Sequence, residues 1–304
     1  MLHITDAMVE AALRPVDVQA ALVEAFRSFA AGRGGMQERV RTYGGGVRLS
    51  TMGAVLPDQE MAGAKVYTTI DGAFTFALVL FSTTTGALIA TLDANAITGL
   101  RTAACSVIAA RHLARPGSAT LAVFGLGVQG RAHAEQLAAA FPLERVLLVS
   151  QRNDPAIAAE IAAATGIPAR LATTEEALAE ADIIVTASRA KTPLFAGEAI
   201  RPGTFIAAVG SSLPTSRELD DAALVRAARV AIEWRTQSLK EAGELVLAAP
   251  GILDPAKVVE LGELVAGTAP GRTSDDEITL YKSVGVGLED IAIAGLAYRR
   301  IAHA

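Results

Sequence analysis

The amino-acid sequence predicts an α/β protein of two domains: one has a doubly wound parallel sheet of the Rossmann type, the other is an α+β domain with an antiparallel sheet. A chain of 304 residues exceeds the usual size of a single hydrophobic core. After residue 117, short apolar strands alternate with Ala-rich helical segments, whereas residues 39–92 contain successive strand-like segments without long helices between them. A glycine-rich loop joins the first strand of the alternating region to a helix.

This loop carries the first functional signal. Residues 121–124 form an apolar strand, Gly125, Gly127 and Gly130 have the G-x-G-x-x-G spacing, and residues 128–140 are helical in pattern. Such glycines allow a tight turn, the approach of a pyrophosphate to the backbone, and close packing of helix on strand. The helix N-terminus offers free N–H groups to phosphates. The segment predicts a dinucleotide site, although an ordinary strand–helix turn has the same spacing.

The second predicted strand, Arg145–Ser150, bears on the choice of nicotinamide cofactor. NAD sites usually carry Asp or Glu at the end of this strand, whereas this chain has Arg152 close to that position. A guanidinium pairs with a 2′-phosphate, which a carboxylate would repel. The sequence therefore favours NADPH, with NADH as the alternative. Arg152 is alternatively a solvated loop residue paired with Asp154.

The remaining elements follow from apolar periodicity and turn residues. Residues 5–32 are typical of two helices, with Asp17 as an N-cap and Gly32 ending the second. Strand-like segments with turns at Asp71–Gly72 and Thr83–Gly86 precede a long helix over residues 95–114. Later elements are the strands Asp182–Thr186, Phe205–Val209 and Val230–Glu233, a helix opening at Asp220 and Asp221, and a helix over Ile278–Ala302.

Composition excludes several classes of function. The net charge is −5 without a basic cluster, which argues against nucleic acid as a partner. No run of 18 apolar residues predicts a membrane span, and the N-terminus lacks the pattern of a signal peptide. One cysteine, Cys105, fits a reducing cytoplasm and a buried small side chain. This cysteine and four scattered His residues predict no metal site.

Cations among apolar residues of the first domain predict an anion site. Arg39 and Arg41 are two apart on one strand face, Lys65 lies in an apolar strand, and Arg101 lies near the start of the long helix, where the dipole disfavours a cation. Unpaired buried charge is costly, so these groups need a carboxylate or phosphate partner. Together they predict a carboxylate-binding pocket, while for each alone an internal salt bridge is the alternative. Ser50, on the same sheet, is a candidate hydrogen-bond donor or proton relay.

The ends of two later strands supply further cofactor contacts, because ligands of doubly wound sheets lie at the carboxyl ends of the strands. The residues predicted to contact the cofactor there are Thr186, Ser188, Val209, Gly210, Ser211 and Ser212. Residues 209–214 close the fourth strand of the predicted parallel sheet. His133, in the helix after the glycine loop, is interpreted as a packing or surface residue, with contact to a phosphate as the alternative, and is not assigned as a base. Lys240, Glu241 and Glu244 are interpreted as helix surface, with a polar wall of the site as the alternative.

Four segments resemble the ornithine cyclodeaminase/mu-crystallin family over most of the chain: RTAACSVIAARHLA at residues 101–114, FGLGVQGRAHAEQL at 124–137, AVGSSLPTSRELD at 208–220 and YKSVGVGLED at 281–290. The resemblance implies a homodimer whose subunit has a substrate-binding and dimerisation domain, residues 1–115 with 287–304, and a dinucleotide-binding domain, residues 116–286. It also implies NAD(P) chemistry at the carbon that bears an amino-acid amine.

By position, the resemblance implies that Lys65, Arg101 and either Arg39 or Arg41 hold the substrate carboxylate. It implies that the pyrophosphate is held by Thr102 and the loop of Gly125, Gly127, Val128, Gln129 and Gly130. Cyclodeaminases of the family carry an aspartate where this chain has Ser212, and a glutamate near Ser50. The absence of both acids puts deamination and ring closure in doubt, and the chain is most similar to the family's reductases of cyclic imino acids.

The sequence therefore predicts an NAD(P)H-dependent reductase of a small cyclic imino acid, Δ1-pyrroline-2-carboxylate or Δ1-piperideine-2-carboxylate, that forms L-proline or L-pipecolate. The cations fix the carboxylate, and Lys65 or Ser50 relays the proton to the imine nitrogen. One alternative is a cyclodeaminase or an amino acid oxidoreductase like alanine dehydrogenase. An alternative of another class is a non-catalytic NADPH-binding protein of the crystallin type.

Overall fold

A computed structural model describes residues 1–151 and 154–302 of the chain. The structure divides into two units: the first comprises residues 1–104 with the C-terminal residues from Gly285 onward, and the second comprises residues 105–284. The first division falls within a long helix, at Ala104, whereas the sequence suggested a boundary after this helix, at residue 115. None of the helices in the described part of the chain has the length and apolar character needed to cross a membrane.

The elements occur along the chain in three groups. The first is β1 (Leu2–Ile4), α1 (Asp6–Ala12), α2 (Pro15–Ala30), β2 (Gly35–Gly44), β3 (Val47–Leu56), β4 (Met61–Ile70), β5 (Ala73–Ser82), β6 (Leu88–Asp93) and α3 (Asn95–Leu113). The second is β7 (Thr120–Phe124), α4 (Val128–Ala140), β8 (Arg145–Val149), α5 (Pro155–Thr165), β9 (Ala169–Leu171), α6 (Thr174–Glu180), β10 (Ile183–Thr186), β11 (Phe205–Ala208), α7 (Asp221–Arg226), β12 (Ala227–Ile232), α8 (Arg235–Glu241), α9 (Gly243–Val246), β13 (Val258–Glu260), α10 (Leu261–Ala266) and β14 (Ile278–Lys282). The last is α11 (Gly287–Ala302).

The sheet of the first unit has six strands in the order β1-β6-β5-β4-β3-β2. Its strands pair antiparallel as expected, except that the short strand β1, which the sequence did not indicate, adds parallel to β6. The predicted turn between β4 and β5 is confirmed: Asp71 and Gly72 have φ values of 48° and 77°, as a tight hairpin requires. The C-terminal helix α11 packs on β3, β4 and α2.

Two helices lie between β1 and β2, as predicted for residues 5–32, but Asp17 is not the N-cap of the second. The cap residue of α2 is Arg14, and Pro15 occupies the first helical position, where its missing N–H costs nothing. Asp17 lies in the first turn, and its carboxylate accepts a hydrogen bond from Arg14 Nε at 3.0 Å. Asp17 therefore binds the side chain of the cap residue Arg14, which directly precedes Pro15.

The sheet of the second unit confirms the doubly wound prediction. Its eight strands are all parallel, in the order β13-β12-β14-β11-β10-β7-β8-β9. The strand order reverses between β7 and β10, and ligands of such sheets bind at this switch point, beyond the carboxyl ends of the strands. The short strands β9 and β13 were not predicted, so β11 is the fifth strand of this sheet along the chain rather than the fourth.

The predicted helix over residues 278–302 is wrong in its first part. Residues 278–282 form the strand β14, which lies between β11 and β12, and all five are buried. A central parallel strand is covered on both faces and therefore lacks the alternation that distinguishes a strand from a helix in sequence. The helix begins only at Gly287.

Candidate active site

The glycine loop between β7 and α4 has the local geometry of a phosphate cradle. Gly125 has φ +94°, and a Cβ there would lie 2.6 Å from the carbonyl oxygen of Ala187. A Cβ on Gly130 would overlap the carbonyl oxygen of Gly125, so helix and loop pack without room for a side chain. At Gly127 nothing lies within 4 Å of the Cβ position. The middle glycine therefore leaves its backbone open, as the approach of a pyrophosphate requires.

This geometry gives a prediction for Gly127→Ala. Because Gly127 has φ −75° and open space around its Cβ position, we expect the variant to fold with an unchanged melting temperature. We expect its Kd for NADH to rise about tenfold, since the added methyl group occupies the approach of the phosphates. Fluorescence titration with NADH measures this Kd.

Gly44→Ala is the matched control for this variant, because Gly44 also has open space around its Cβ position and lies in the other unit. It should leave the Kd for NADH unchanged. Wild-type affinity in Gly127→Ala would show that phosphates do not approach this loop.

The loops after β10 and β11 are held by one buried carboxylate, that of Glu218. Its Oε1 accepts hydrogen bonds from the backbone N–H and the hydroxyl of Ser188, both at 2.7 Å. Its Oε2 accepts hydrogen bonds from the Thr186 hydroxyl and the Gly210 N–H, both at 2.8 Å. The hydroxyls of Thr186 and Ser188, predicted to contact the cofactor, thus donate hydrogen bonds to Glu218. These bonds hold the loop after β10 at the edge of the sheet.

A second buried carboxylate, Glu244, extends this network. Its Oε1 accepts the backbone N–H of Glu218 at 2.9 Å, and its Oε2 pairs with Lys282 Nζ at 2.9 Å. Lys282 also donates to the carbonyl oxygen of Ser211 at 2.8 Å. The interpretation of Glu244 and Glu241 as helix surface is wrong, because both are buried, whereas Lys240 is exposed. An acidic residue is buried here because Lys282, at the end of β14, lies opposite it.

His133 is a packing residue, as interpreted from the sequence. The side chain is completely buried, with Nε2 2.9 Å from the Ser106 hydroxyl and Nδ1 2.7 Å from the carbonyl oxygen of Gln129. Nδ1 thus contacts the first turn of α4, and Nε2 contacts the second half of α3. Cys105, next to Ser106, is buried, as expected.

In the first unit, Lys65 is buried on the inner face of the sheet. Its Nζ lies 2.6 Å from Asp290 Oδ1 and 3.4 Å from the Thr98 hydroxyl, and only 2% of the side chain is exposed. The face is shared with Met52, which is the cross-strand partner of Lys65. The salt bridge that the sequence left open as an alternative is therefore present, with Asp290 of α11 as the partner.

Arg101 has the same kind of partner. Its Nη1 lies 2.6 Å from Glu289 Oε2, and its Nε lies 3.6 Å from Asp290 Oδ1. The residue lies beyond the first turn of α3, so the helix dipole, which the sequence suggested as a penalty, does not explain its environment. Gly285, at φ +73°, passes so close that a Cβ there would lie 2.6 Å from Arg101 Nη1.

Arg39 completes a group that we call the cation cluster: Arg39, Lys65, Arg101, Glu289 and Asp290. Arg39 Nη2 donates to the carbonyl oxygen of Gly285 at 2.7 Å, and its Nε lies 3.4 Å from Met52 Sδ. Three cations and two carboxylates give the cluster one net positive charge. A bound carboxylate would neutralise it, which is the property that the sequence predicted for this pocket.

The cluster changes the acidity of Lys65. The pKa of the Lys65 ammonium is lowered to about 8: burial lowers it most, Asp290 raises it, and the charges of Arg101 and Arg39 lower it. The Nζ atom also lies 5.3 Å from the ring centroid of Phe76 and 5.9 Å from that of Tyr67. A lysine with such a pKa can both hold an anion and release a proton near neutral pH.

Arg41 lies two residues from Arg39 on β2, and Ser50 lies two residues from Met52 on β3. Arg41 and Ser50 are cross-strand partners, and Ser50 also pairs with Tyr67 of β4. Ser50 is completely buried, and its hydroxyl makes no hydrogen bond within the described part of the chain. The structure thus groups Arg39 with Met52 and Gly285, whereas Arg41 lies opposite Ser50.

The other predicted site residues are placed as follows. Thr102 belongs to the first unit, is buried, and donates its hydroxyl hydrogen to the carbonyl oxygen of Thr98 at 2.7 Å. Val128 is 76% exposed at the start of α4. The Ser211 hydroxyl accepts a hydrogen bond from the backbone N–H of Leu213, and Arg152 lies outside the described residues. The remaining predicted contacts, Gln129, Val209 and Ser212, are half-buried.

Three buried carboxylates were not predicted: Glu218 in the second unit, and Glu289 and Asp290 in the first. Glu289 and Asp290 lie in the first turn of α11, a helix that is otherwise apolar over most of its length. Adjacent acids in an apolar helix are a signal for buried cations elsewhere in the chain, because burial of unpaired charge is costly. Glu218 gives no such signal, since its partners are backbone N–H groups and hydroxyls.

A family model and a known relative each match most of the chain. The model of the ornithine cyclodeaminase/mu-crystallin family matches residues 1–304. A Delta(1)-pyrroline-2-carboxylate reductase of Bacillus cereus is 37% identical over 251 residues, which are 81% of this chain and 75% of that protein.

Solved structures share the fold over the whole chain. A Bordetella pertussis Tohama I protein described as a probable ornithine cyclodeaminase is 56% identical, with a TM-score of 0.98 over 100% of this chain and 97% of that one. The Thermococcus litoralis Delta(1)-pyrroline-2-carboxylate reductase, solved with NADH and L-proline, is 28% identical, with a TM-score of 0.94 over 100% and 98%. An archaeal alanine dehydrogenase dimer with bound NAD is 29% identical, with a TM-score of 0.92 over 100% and 96%.

Proposed function

The chain belongs to the ornithine cyclodeaminase/mu-crystallin family, and on this premise we propose that it reduces the cyclic imino acid Δ1-pyrroline-2-carboxylate to L-proline. It is an NAD(P)H-dependent oxidoreductase. The observation that carries the substrate proposal is the cation cluster on the inner face of the first sheet, in which Lys65 and Arg101 are buried and Arg39 is half-buried. The first unit then binds the substrate and the second unit binds the dinucleotide.

The residues of the cluster have separate roles in this proposal. Arg39 and Arg101 bind the substrate carboxylate, because planar guanidinium groups match its two oxygens. Glu289 and Asp290 hold Arg101 and Lys65 in place through ion pairs of 2.6 Å each. Lys65 donates the proton that the imine nitrogen needs for reduction, and the Ser50 hydroxyl is the alternative relay. When bound, the nicotinamide cofactor supplies the hydride.

The pKa of Lys65 gives a prediction for the pH dependence. Because burial lowers this pKa to about 8, the ammonium form is lost as the pH rises above that value. We expect kcat/KM for the imine to fall about tenfold per pH unit above a pH of about 8. The measurement is a pH profile between 6 and 10, corrected for ionisation of the free imine.

Lys65→Arg is the comparison variant for this profile, since its guanidinium stays protonated throughout. We expect it to keep only weak activity but to lose the high-pH limb. The same limb in wild type and Lys65→Arg would assign the titration to another group.

The proposed reaction is tested by the decay of NADPH or NADH absorbance with Δ1-pyrroline-2-carboxylate. We expect rapid turnover, with L-proline as the product and one cofactor oxidised for each imine reduced. Δ1-Piperideine-2-carboxylate tests the ring size that the pocket accepts. No turnover with either imine, despite tight cofactor binding, would favour a non-catalytic binding protein.

Ornithine cyclisation is the second candidate, because the 56%-identical Bordetella protein is described as a probable ornithine cyclodeaminase. The chain has Ser212 in the segment where the cyclodeaminases carry an aspartate, and Ser50 near the position of their glutamate. Incubation with L-ornithine and catalytic NAD⁺ distinguishes the two reactions. Release of ammonia together with L-proline would replace the reductase proposal, whereas we expect none.

We further propose that NADPH is the preferred cofactor and that NADH is also accepted. The support is Arg152, near the position where NAD sites carry an acid. Relatives solved with NADH or NAD show that the fold also accepts the cofactor without the 2′-phosphate. Comparison of kcat/KM for the two cofactors in wild type and Arg152→Ala tests the assignment.

We also propose a homodimer that forms through the outer face of the first sheet. Six large apolar side chains share this face and are between 37% and 52% exposed: Val40, Leu49, Val55, Ile70, Phe81 and Leu88. An exposed apolar face of this kind marks an interaction surface, and the archaeal alanine dehydrogenase relative was solved as a dimer. We expect sedimentation to show a dimer, and Val55→Lys with Phe81→Lys to shift it to monomer. A monomeric wild type would contradict this proposal.

A further inference from the structure

Glu218 is a completely buried carboxylate that the proposed reaction does not use. Each of its two oxygens accepts one backbone N–H and one hydroxyl hydrogen, at distances between 2.7 and 2.8 Å. Backbone N–H groups can only donate, and an ionised carboxylate can only accept. The donor set therefore selects the charged form of Glu218.

This charge lacks a cationic partner. In the described part of the chain, no Lys, Arg or His nitrogen lies within ion-pair distance of Glu218, and Lys282 pairs with the neighbouring Glu244 instead. Taken together, Glu218, Glu244 and Lys282 carry one net negative charge, and each is 0% exposed. In such a low-dielectric environment the electrostatic potential of this charge is weakly screened and reaches groups several ångströms away.

The carboxylate lies at the edge of the sheet where a dinucleotide binds. Its N–H donors, Ser188 and Gly210, each come two residues after the last residue of a strand, β10 and β11 respectively. Ser188 also packs against the glycine loop, since a Cβ on Gly125 would lie 3.0 Å from Ser188 Cα. In doubly wound sheets the part of the ligand beyond the phosphates extends over these strand ends.

We propose that Glu218 is a positioning residue that holds both strand-end loops and biases the site toward the oxidised form of the nicotinamide cofactor. The oxidised ring carries one more positive charge than the reduced ring, so a buried negative charge stabilises it selectively. The bias makes the reduced cofactor a stronger hydride donor when bound. The inference rests on the proposed nicotinamide cofactor but is independent of the imino acid.

The test is the ratio of the Kd values for NAD⁺ and NADH, measured by titration in the absence of substrate. In Glu218→Gln we expect the Kd for NAD⁺ to rise about tenfold more than the Kd for NADH, because the charge is removed. A purely structural role would weaken both affinities by the same factor. Equal losses would overturn the proposal.

Asp182→Asn is the matched control, because Asp182 also accepts two backbone N–H groups, those of Ala119 and Thr120. It lies immediately before β10, at the opposite edge of the same sheet, and its charge is paired with Arg115 and Arg201. We expect this variant to lose stability but to keep the wild-type ratio of the two Kd values. A change in the ratio as large as that in Glu218→Gln would also overturn the proposal.

Thr186→Val keeps the Glu218 carboxylate and is expected to change the ratio of the two Kd values in the opposite direction. The nearly isosteric change removes one hydroxyl donor, so the same negative charge is less neutralised. We expect the preference for NAD⁺ over NADH to rise about twofold. An unchanged or lower preference would contradict the inference even if Glu218→Gln failed to fold. Absence of dinucleotide binding to the wild type would overturn the proposed function together with this inference.

Discussion

Replacement of Lys65 by Met is expected to lower kcat/KM for Δ1-pyrroline-2-carboxylate about 10³-fold, because it removes both a cation and the proposed proton donor. The Kd for NADH should stay within about twofold of the wild type, since the glycine loop belongs to the other unit. Steady-state kinetics and fluorescence titration measure the two effects.

The variant leaves Asp290 buried without its 2.6 Å partner, a loss that destabilises proteins by about 3–5 kcal/mol. The double variant Lys65→Met with Asp290→Asn removes both charges, so we expect it to recover most of the stability but none of the activity. Lys240→Met, at an exposed lysine, is the matched control and should behave as wild type. Normal turnover by the stable double variant would exclude Lys65 from the reaction.

Arg101→Met is expected to raise KM for the imino acid about 100-fold, because the substrate carboxylate loses a charged hydrogen-bond donor. The effect on kcat should be smaller, since Lys65 remains. The measurement is the dependence of the rate on imine concentration at saturating cofactor.

Arg101→Met also removes the 2.6 Å ion pair of Glu289 and should lower the melting temperature. Adding Glu289→Gln removes the buried charge, which should restore much of the stability while KM stays high. Arg111→Met, at an exposed position of the same helix, is the matched control. If the double variant recovered a wild-type KM, the role of Arg101 would be to pair with Glu289 and not to bind substrate.

The second unit was largely predictable because its local patterns agree with its tertiary structure. The glycines at residues 125, 127 and 130 fix the turn between β7 and α4, and the helix has the predicted bounds, Val128–Ala140. The parallel sheet followed from the β–α alternation. The strand β14 was missed because a strand buried on both faces has no alternation to show.

The candidate site was predicted in its cations but not in its carboxylates. Lys65 and Arg101 stand out because a charge in an apolar segment is costly, so their presence already implies a partner. Which partner they have cannot be read from spacing, because Asp290 is 225 positions from Lys65 and meets it only when α11 packs on the sheet. The choice between Arg39 and Arg41 likewise depends on an irregularity in the pairing of β2 with β3 between Gln37 and Val40.

Local chemistry thus decided the two classes of sheet, the conformation of the glycine loop and the candidate cations, because glycine spacing, strand periodicity and buried charge act within a few residues. Tertiary structure alone decided which carboxylates those cations meet, that Glu244 is buried rather than exposed, and that Glu218 holds the loops after β10 and β11. The physical reason is that a buried charge is stabilised by whichever groups the folded chain brings within about 3 Å, at any separation in sequence.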